Sequence, residues 1–547
     1  METAVLIVGA GPVGLTLAMD LARRGIEVVV AEVRYPREIP TVRCNHVSAR
    51  SMEIFRQLGL AQAVRNAGLP EDHAHDVSFR TTVTGPELTR IFIPSRRDRF
   101  TATAGPDGWW PTPEPPHRIN QLYLEPIMFD HAASMARIRL LNRTRIEGFV
   151  PGETAVAATA RNLDTQESYT IECQYLVGCD GGSSGIRKAM GAKLVGDAVV
   201  QRVQSTYIRA PKLMAMMQCE PAWGTVALNP RRSGTLYAID GRERWIVHNY
   251  LKESESDFEA INRDWAIRTI LGVDGDFEYE VLANEDWIGR RLVADRLRNG
   301  RVFICGDAAH IWVPYGGYGM NAGIADAANL AWLLAARLHG WGGTAILDAY
   351  ERERHPITEQ VSYFAMNYAA HMIKNRRIVP PNIEEVSAEG EAARAEFGQE
   401  LYELNVQQYC CGGLNFGYYY DDSPLIVYDG EQQPAYTMAD FTPSTVPGCR
   451  VPHFWLGDGR SLYDAMGPDY TLLRFDPAVN VEPLLSAAQQ IGMLLKLLDV
   501  ETLHCNVSTA YTTKLVLARP DQHVAWRGDG LPDDVKEMVG RVNGRLS

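Results

Sequence analysis

The stretch Ala4–Val33, AVLIVGAGPVGLTLAMDLARRGIEVVVAEV, decides the fold. It reads as a buried-strand run, a glycine turn, an amphipathic helix, a second strand and an acid. Gly9, Gly11 and Gly14 fit GxGxxG, and Glu32 closes the second strand about 20 residues on. Each glycine has a physical task. Gly9 permits the tight turn, Gly11 lets a pyrophosphate approach the backbone, and Gly14 lets helix and strand pack closely. The helix N-terminus offers free N–H groups and the positive end of a dipole. Glu32 accepts from ribose hydroxyls and, as an anion, disfavours a 2′-phosphate. The pattern predicts a dinucleotide site at the start of an α/β domain. It does not separate a flavin from a nicotinamide dinucleotide.

The rest of the composition sets bounds. At 547 residues the chain is too long for one core and implies several domains. Hydrophobic residues make up 46%, ordinary for a globular protein. The net charge of −13 argues against nucleic acid or an anionic membrane as a partner. The nine cysteines are scattered without a CxxC pair, which suggests a reducing compartment. No run of about 18 apolar residues suggests a membrane span. The expected location is cytoplasmic. No metal-ligand cluster and no Ser–His–Asp spacing stands out, so the chemistry is expected to belong to a cofactor.

Two further stretches separate the dinucleotides. In YLVGCDGGSSGIRKAMG a strand ends at Cys179, and Asp180, Gly181, Ser184 and Arg187 fit DGxxSxxR ahead of a helix. In RVFICGDAAHIWVPYGGYGMNAG a strand runs into Gly306 and Asp307, then into a glycine-rich turn before a long helix. With the opening motif, these three fingerprints resemble the class A flavoprotein aromatic hydroxylases, the family of p-hydroxybenzoate and phenol hydroxylases. The resemblance spans about residues 3–340. It implies bound FAD, with NAD(P)H as a visiting reductant because no second dinucleotide fingerprint exists.

By that resemblance Asp307 holds a ribityl hydroxyl. The backbone of Pro314, Gly317, Gly319, Met320 and Asn321 lies along the ribityl chain and the flavin ring. Tyr318 stands where the family usually has Gln. Asp180 has two readings, a cofactor contact or a helix cap. Arg43 is the pyrophosphate partner in VRCNHVSARSMEIFRQLGL, where Arg50 reads equally as an ion-pair residue. In HRINQLYLEPIMFDHA, Gln121 lies near the pyrophosphate and ribityl chain, with Arg118 a second candidate.

The expected architecture is α/β. A Rossmann-like FAD-binding domain takes residues 1–75, 116–192 and 291–345. A β-rich substrate domain is inserted at 76–115 and 193–290, and residues 346–429 form a helical and loop connection. Residues 430–547 resemble the thioredoxin-like C-terminal domain of the phenol hydroxylase branch, without CxxC, and carry a docking or dimerisation role. Within the insertion, ERWIVHNYL alternates: Trp245, Val247 and Asn249 share one face, Ile246, His248 and Tyr250 the other.

The resemblance implies hydroxylation of a small phenolic or polycyclic aromatic substrate with O2 and NAD(P)H through a flavin C4a-hydroperoxide, in a homodimer. Tyr315 is placed against substrate or flavin, and His46, His248 and Tyr250 are candidate proton handlers; each also reads as an ordinary packed residue. Baeyer–Villiger oxygenation of an aromatic polyketide, a non-oxygenating flavin oxidoreductase and an idle FAD-binding partner protein are the rival readings.

Overall fold

A computed structural model describes all residues except 39, 41–44, 218, 502–505 and 547. Arg43 therefore lies outside the described residues.

The first sheet grows from the opening motif. Glu2–Val8 pairs in parallel with Val28–Ala31 on one side and with Ser168–Gly178 on the other. Ile138–Leu141 and Val302–Ile304 extend it, again in parallel. Parallel strands are buried on both faces, and Val5, Leu6 and Ile7 are fully buried. The helices Pro12–Arg23 and Gly319–Leu338 cover one face and form, with the strands, the largest core. The carboxyl ends of three neighbouring strands thus converge: Val8, Gly178 and Ile304 lie in register, each followed by one of the three fingerprints. In open α/β sheets that edge is where ligands bind.

The second sheet is mainly antiparallel. Its order is His310–Ile311, Glu280–Ala294, Leu194–Arg209, Arg244–Tyr250, Gly234–Ala238, Gly224–Ala227, Val77–Arg80 and Glu87–Ile91. One face of Arg244–Tyr250 sends Trp245 and Val247 into the sheet's core. Its other face carries His248 and Tyr250 to a cavity. The two sheets meet at His310–Ile311, which pairs with Leu292 and Val293 directly after the Asp307 turn. This junction fixes the dinucleotide edge against the antiparallel wall.

The third sheet orders Leu495–Asp499, Tyr470–Arg474, Leu515–Ala518 and Val524–Gly528, the first pair parallel and the rest antiparallel. With the helices Glu482–Gln490 and Val535–Val542 it is a thioredoxin-like β-α-β-β-β-α unit. It is docked by a buried ion network. Arg519 donates to Glu353 at 2.6 and 2.7 Å and to Asp521 at 2.7 Å. Arg50 donates to the Asp521 carbonyl at 2.7 Å, and Arg450 to Glu53 at 2.6 Å. Arg519 and Glu353 are completely buried. Removing one partner of such a pair strands the other charge and costs about 3–5 kcal/mol. The connecting helix Asp348–Arg377 supplies Glu353 to this network and Arg376 to the cavity, and Ala388–Tyr409 packs on the antiparallel sheet and supplies Gln408 and Tyr409 to the cavity. Among the described residues no helix is long and apolar enough to cross a membrane.

Candidate functional site

One continuous cavity of about 910 Å³ runs from the glycine turn to the antiparallel sheet. Gly9, Gly11, Glu32, Gln121, Asp180 and Asp307 border its nucleotide end. Pro314, Tyr315, Gly317, Gly319, Met320 and His46 border its middle, and His248 and Tyr250 its far end. Two expected residues do not border it. Gly14 sits behind the turn, where a Cβ would lie 2.0 Å from the Gly9 carbonyl oxygen. Asn321 is buried as a brace: its Oδ1 accepts from Ser48 N–H at 2.9 Å, and its Nδ2 donates to the carbonyls of His46 and Gly317 at 3.1 and 2.6 Å.

The nucleotide end is built from backbone. Gly9 adopts φ +106°, outside the range of ordinary side chains, with Cys179 O 2.4 Å from its would-be Cβ. Gly11 and Gly319 differ, because a Cβ on either meets no protein atom within 4 Å. Their bare backbone opens onto the cavity.

Glu32 accepts from Ala10 N–H at 2.7 Å and from Arg34 N–H at 3.0 Å. Burial opposes its ionisation, but the Arg34 guanidinium and the two amides outweigh it and hold the carboxyl below its usual range. Arg34 also bridges to Glu125 at 2.9 Å, and Glu125 in turn accepts from Gln121.

Asp180 takes hydrogen bonds from the Gly185 and Ile186 amides at 2.8 and 3.2 Å and from Ser184 Oγ at 2.5 Å. Ser184 Oγ accepts from Arg187 N–H, and the Arg187 guanidinium donates to the carbonyls of Ala308 and Gly182 at 3.0 Å. The Asp-Ser-Arg set thereby ties the second fingerprint to the turn that carries Asp307.

The far end is a chamber of side chains. Thr235 and Tyr250 hydroxyls pair at 3.0 Å across adjacent strands. His248 Nδ1 pairs with Ser205 Oγ at 2.6 Å, and Ser205 Oγ accepts from Trp287 Nε1 at 2.8 Å. Burial pulls the His248 pKa down to about 4, so the ring is neutral near pH 7. Burial pushes the Tyr250 hydroxyl up, so it stays protonated. Tyr315 Oη donates to Gln201 Oε1 at 3.0 Å and accepts from Arg376 Nη2 at 2.5 Å.

His46 Nδ1 accepts from Arg118 Nη1 at 2.5 Å. Burial, then the Arg118 charge, holds His46 well below its usual pKa. The Arg118 guanidinium lies 4.4 Å from the Trp223 ring centre and 6.0 Å from that of Tyr409, so it belongs to the chamber wall.

Sequence reasoning missed Arg376, Gln201, Tyr409, Trp223 and Tyr237. Trp223 directly precedes the strand Gly224–Ala227, and Tyr237 lies within Gly234–Ala238. Arg376 and Tyr409 end two long helices and carry no local signal.

The donor and acceptor set suits FAD. Gly11 and Gly319 are a cradle that a Cβ would fill, the helix Pro12–Arg23 presents its N-terminus at the turn, and Glu32 and Asp307 set carboxyl groups at the same end of the cavity.

Comparisons with known proteins agree. A family model described as an FAD binding domain matches residues 2–365, and one described as aromatic-ring hydroxylase, C-terminal, matches residues 444–545. Phenol 2-monooxygenase of a Pseudomonas species is 28% identical over 98% of this chain and 91% of its own. Tetracenomycin B2 monooxygenase-dioxygenase of Streptomyces olivaceus is 28% identical over 100% of this chain and 99% of its own. Among solved structures, the rebeccamycin biosynthetic enzyme RebC with reduced flavin superposes with a TM-score of 0.89 at 33% identity, covering 100% of this chain and 99% of that one.

Proposed function

Since the chain belongs to the FAD-binding-domain family of flavoprotein aromatic-ring hydroxylases, we propose that this monooxygenase hydroxylates a polycyclic phenol held in the aromatic chamber. The observation that carries the reading is the single cavity, which joins a backbone-lined dinucleotide cleft to a chamber walled by Trp223, Tyr237, Tyr250, Trp287 and Tyr409. At about 910 Å³ it lies near the top of the range for ligand pockets.

FAD, once bound and reduced by NAD(P)H, supplies the activated oxygen. Gly11 and the first turn of Pro12–Arg23 would take its pyrophosphate, Glu32 and Asp307 its hydroxyls, and Gly317, Gly319 and Met320 the ring system. The chain's side chains do the rest. The aromatic walls hold the substrate ring flat and exclude water, which strengthens every hydrogen bond inside. His248 hydrogen-bonds a substrate oxygen through Nε2, since Nδ1 is taken by Ser205. With a pKa of about 4 it is too weak a base to keep a phenolic proton. Its part is orientation.

The test is NAD(P)H oxidation across a panel of polycyclic phenols under ¹⁸O2. A productive phenol should carry one labelled hydroxyl on its ring. It should also speed anaerobic flavin bleaching at 450 nm by about tenfold or more, which is about 1.4 kcal/mol off the barrier. Label in an ester, or no label in product, would replace this reading with Baeyer–Villiger oxygenation or simple oxidation.

A further inference from the structure

One cation of the chamber forms no ion pair with a carboxylate among the described residues. Arg376 lies in the last turn of the helix Asp348–Arg377 and borders the cavity. Its Nε donates to the Met372 carbonyl at 3.2 Å, the ordinary service of a basic residue at a helix end. Its Nη2 donates to Tyr315 Oη at 2.5 Å, and its guanidinium lies 4.0 Å from the Tyr250 ring centre. Among the described residues no acceptor engages Nη1, and no carboxylate lies within ion-pair distance. The acids around the cavity are placed elsewhere. Glu32 and Glu125 serve Arg34, and Asp180 caps a helix. Glu285, on the strand wall, is outside ion-pair reach of Arg376.

The guanidinium is also held in place. Tyr315 Oη spends its proton on Gln201 Oε1, so its lone pair faces Arg376. Gln201 is 8% exposed and sits on the long strand Leu194–Arg209. Strand, turn and helix thus fix one guanidinium before any ligand arrives. A second guanidinium, Arg118, borders the same cavity, is bonded to a neutral imidazole, and has no ion-pair partner among the described residues. In a chain of net charge −13, two arginines that border one cavity and have no ion-pair partner among the described residues favour an anion there.

We propose that the substrate is an aromatic acid, a polycyclic phenol bearing a carboxylate that Arg376 binds from its post on the Gln201–Tyr315 chain. The proposal rests on the chamber being the phenol site. It assigns Arg376 as a specificity-determining residue: a planar fork matches a carboxylate, and a neutral analogue would leave the cation unpaired in the occupied chamber.

The experiment uses FAD-loaded protein and three probes: a dihydroxyanthraquinone carboxylic acid, its methyl ester, and the parent dihydroxyanthraquinone. Binding is read from the perturbation of the flavin absorbance, and stimulation of NAD(P)H oxidation is read in parallel. The acid should bind about 10- to 100-fold more tightly than the ester, the span of a hydrogen bond to a charged group. That ratio should collapse toward unity in Arg376→Met and recover in part in Arg376→Lys, which keeps the charge but not the fork. FAD content and the absorbance spectrum certify that each variant is folded.

Equal affinity for acid and ester in the wild type would overturn the proposal. So would a ratio that survives in Arg376→Met, or a variant whose only change is a weaker preference for NADPH over NADH. If the parent phenol perturbs the flavin and stimulates oxidation while the acid does neither, the inference fails and the phenol site stands. If none of the three, nor any polycyclic phenol, does either, the phenol site itself is wrong.

Discussion

At the nucleotide end of the cavity the lining is largely main chain: Gly9, Gly11, Gly317 and Gly319, with acids set around them. At the chamber end the lining is side chain: Trp223, Tyr237, His248, Tyr250, Arg376 and Tyr409, drawn from strands and from two helices. A shared cofactor can be recognised by backbone shape, because amides and open space are all that a pyrophosphate and a flat ring need. A particular substrate needs chosen side chains in chosen places. The first region should therefore fail when atoms are added, the second when atoms are removed or recharged.

The largest expected effect comes from adding one methyl group behind the cleft. In Gly14→Ala the Cβ meets the Gly9 carbonyl oxygen at 2.0 Å, and neither backbone segment can yield without parting helix from strand. We expect little soluble protein, measured by yield and far-UV circular dichroism. Gly11→Val is the informative contrast. Position 11 has φ −76°, and its Cβ meets no protein atom, so the fold should survive. FAD should not, with affinity reduced about 100-fold or more, about 2.7 kcal/mol. A Gly11→Val protein that purifies yellow at full occupancy would mean the cradle faces something other than the cofactor.

This contrast also explains how much could be read from the chain beforehand. The cleft was legible because its demands fall on consecutive residues. A turn at Gly9, a close approach at Gly14 and an acid at Glu32 leave a spaced signature, and the stretches at Asp180 and Asp307 leave two more. The strand Arg244–Tyr250 was legible from alternation, down to the shared face of His248 and Tyr250.

The rest of the chamber was not legible. Gln201, Tyr315 and Arg376 are one hydrogen-bonded chain, yet 175 positions separate its ends, and only the packing of a helix against a sheet brings them together. Side-chain roles within motifs were likewise hidden. The sequence assigns Asn321 only a backbone role beside the ring; in the fold its side chain braces the loop carrying His46 and Ser48.

A smaller effect tests the chamber without touching the cleft. Tyr315→Phe removes the hydroxyl that joins Gln201 to Arg376 and changes no backbone. Two hydrogen bonds of about 1 kcal/mol each are lost, one of them to a charged donor. FAD occupancy should stay near that of the wild type, while the dissociation constant for a productive phenol rises about tenfold, read by flavin absorbance titration. Loss of FAD in parallel would place Tyr315 with the cleft and blur the division.

The last effect concerns pH, and it too should separate the two ends. His248 is neutral because burial lowers its pKa to about 4, against about 6.5 for an exposed imidazole. Between those values the unfolded chain binds a proton that the folded chain refuses. Stability therefore rises with pH across this window and is lost on acidification from about 6.5 toward 4, by about 2 kcal/mol at pH 5 from this residue alone. His453, half-buried, and His523, fully buried, are lowered to about 4 and about 3 and add slopes of the same sign. Asp326 loses its own contribution only at lower pH, because its carboxyl is held down to about 2: burial opposes its ionisation, but His310 and Arg354 outweigh it. His248→Asn replaces the ring with a group that does not titrate. The drop in the holoenzyme's thermal midpoint between pH 7 and pH 5 should then be smaller than in the wild type, though not abolished. FAD retention over the same interval should be alike in both proteins, since His248 borders the chamber rather than the cleft and the Glu32 carboxyl of the cleft is held below its usual range. An unchanged midpoint slope would mean that His248 is solvated in the folded chamber, and that the chamber is wetter than its aromatic walls imply.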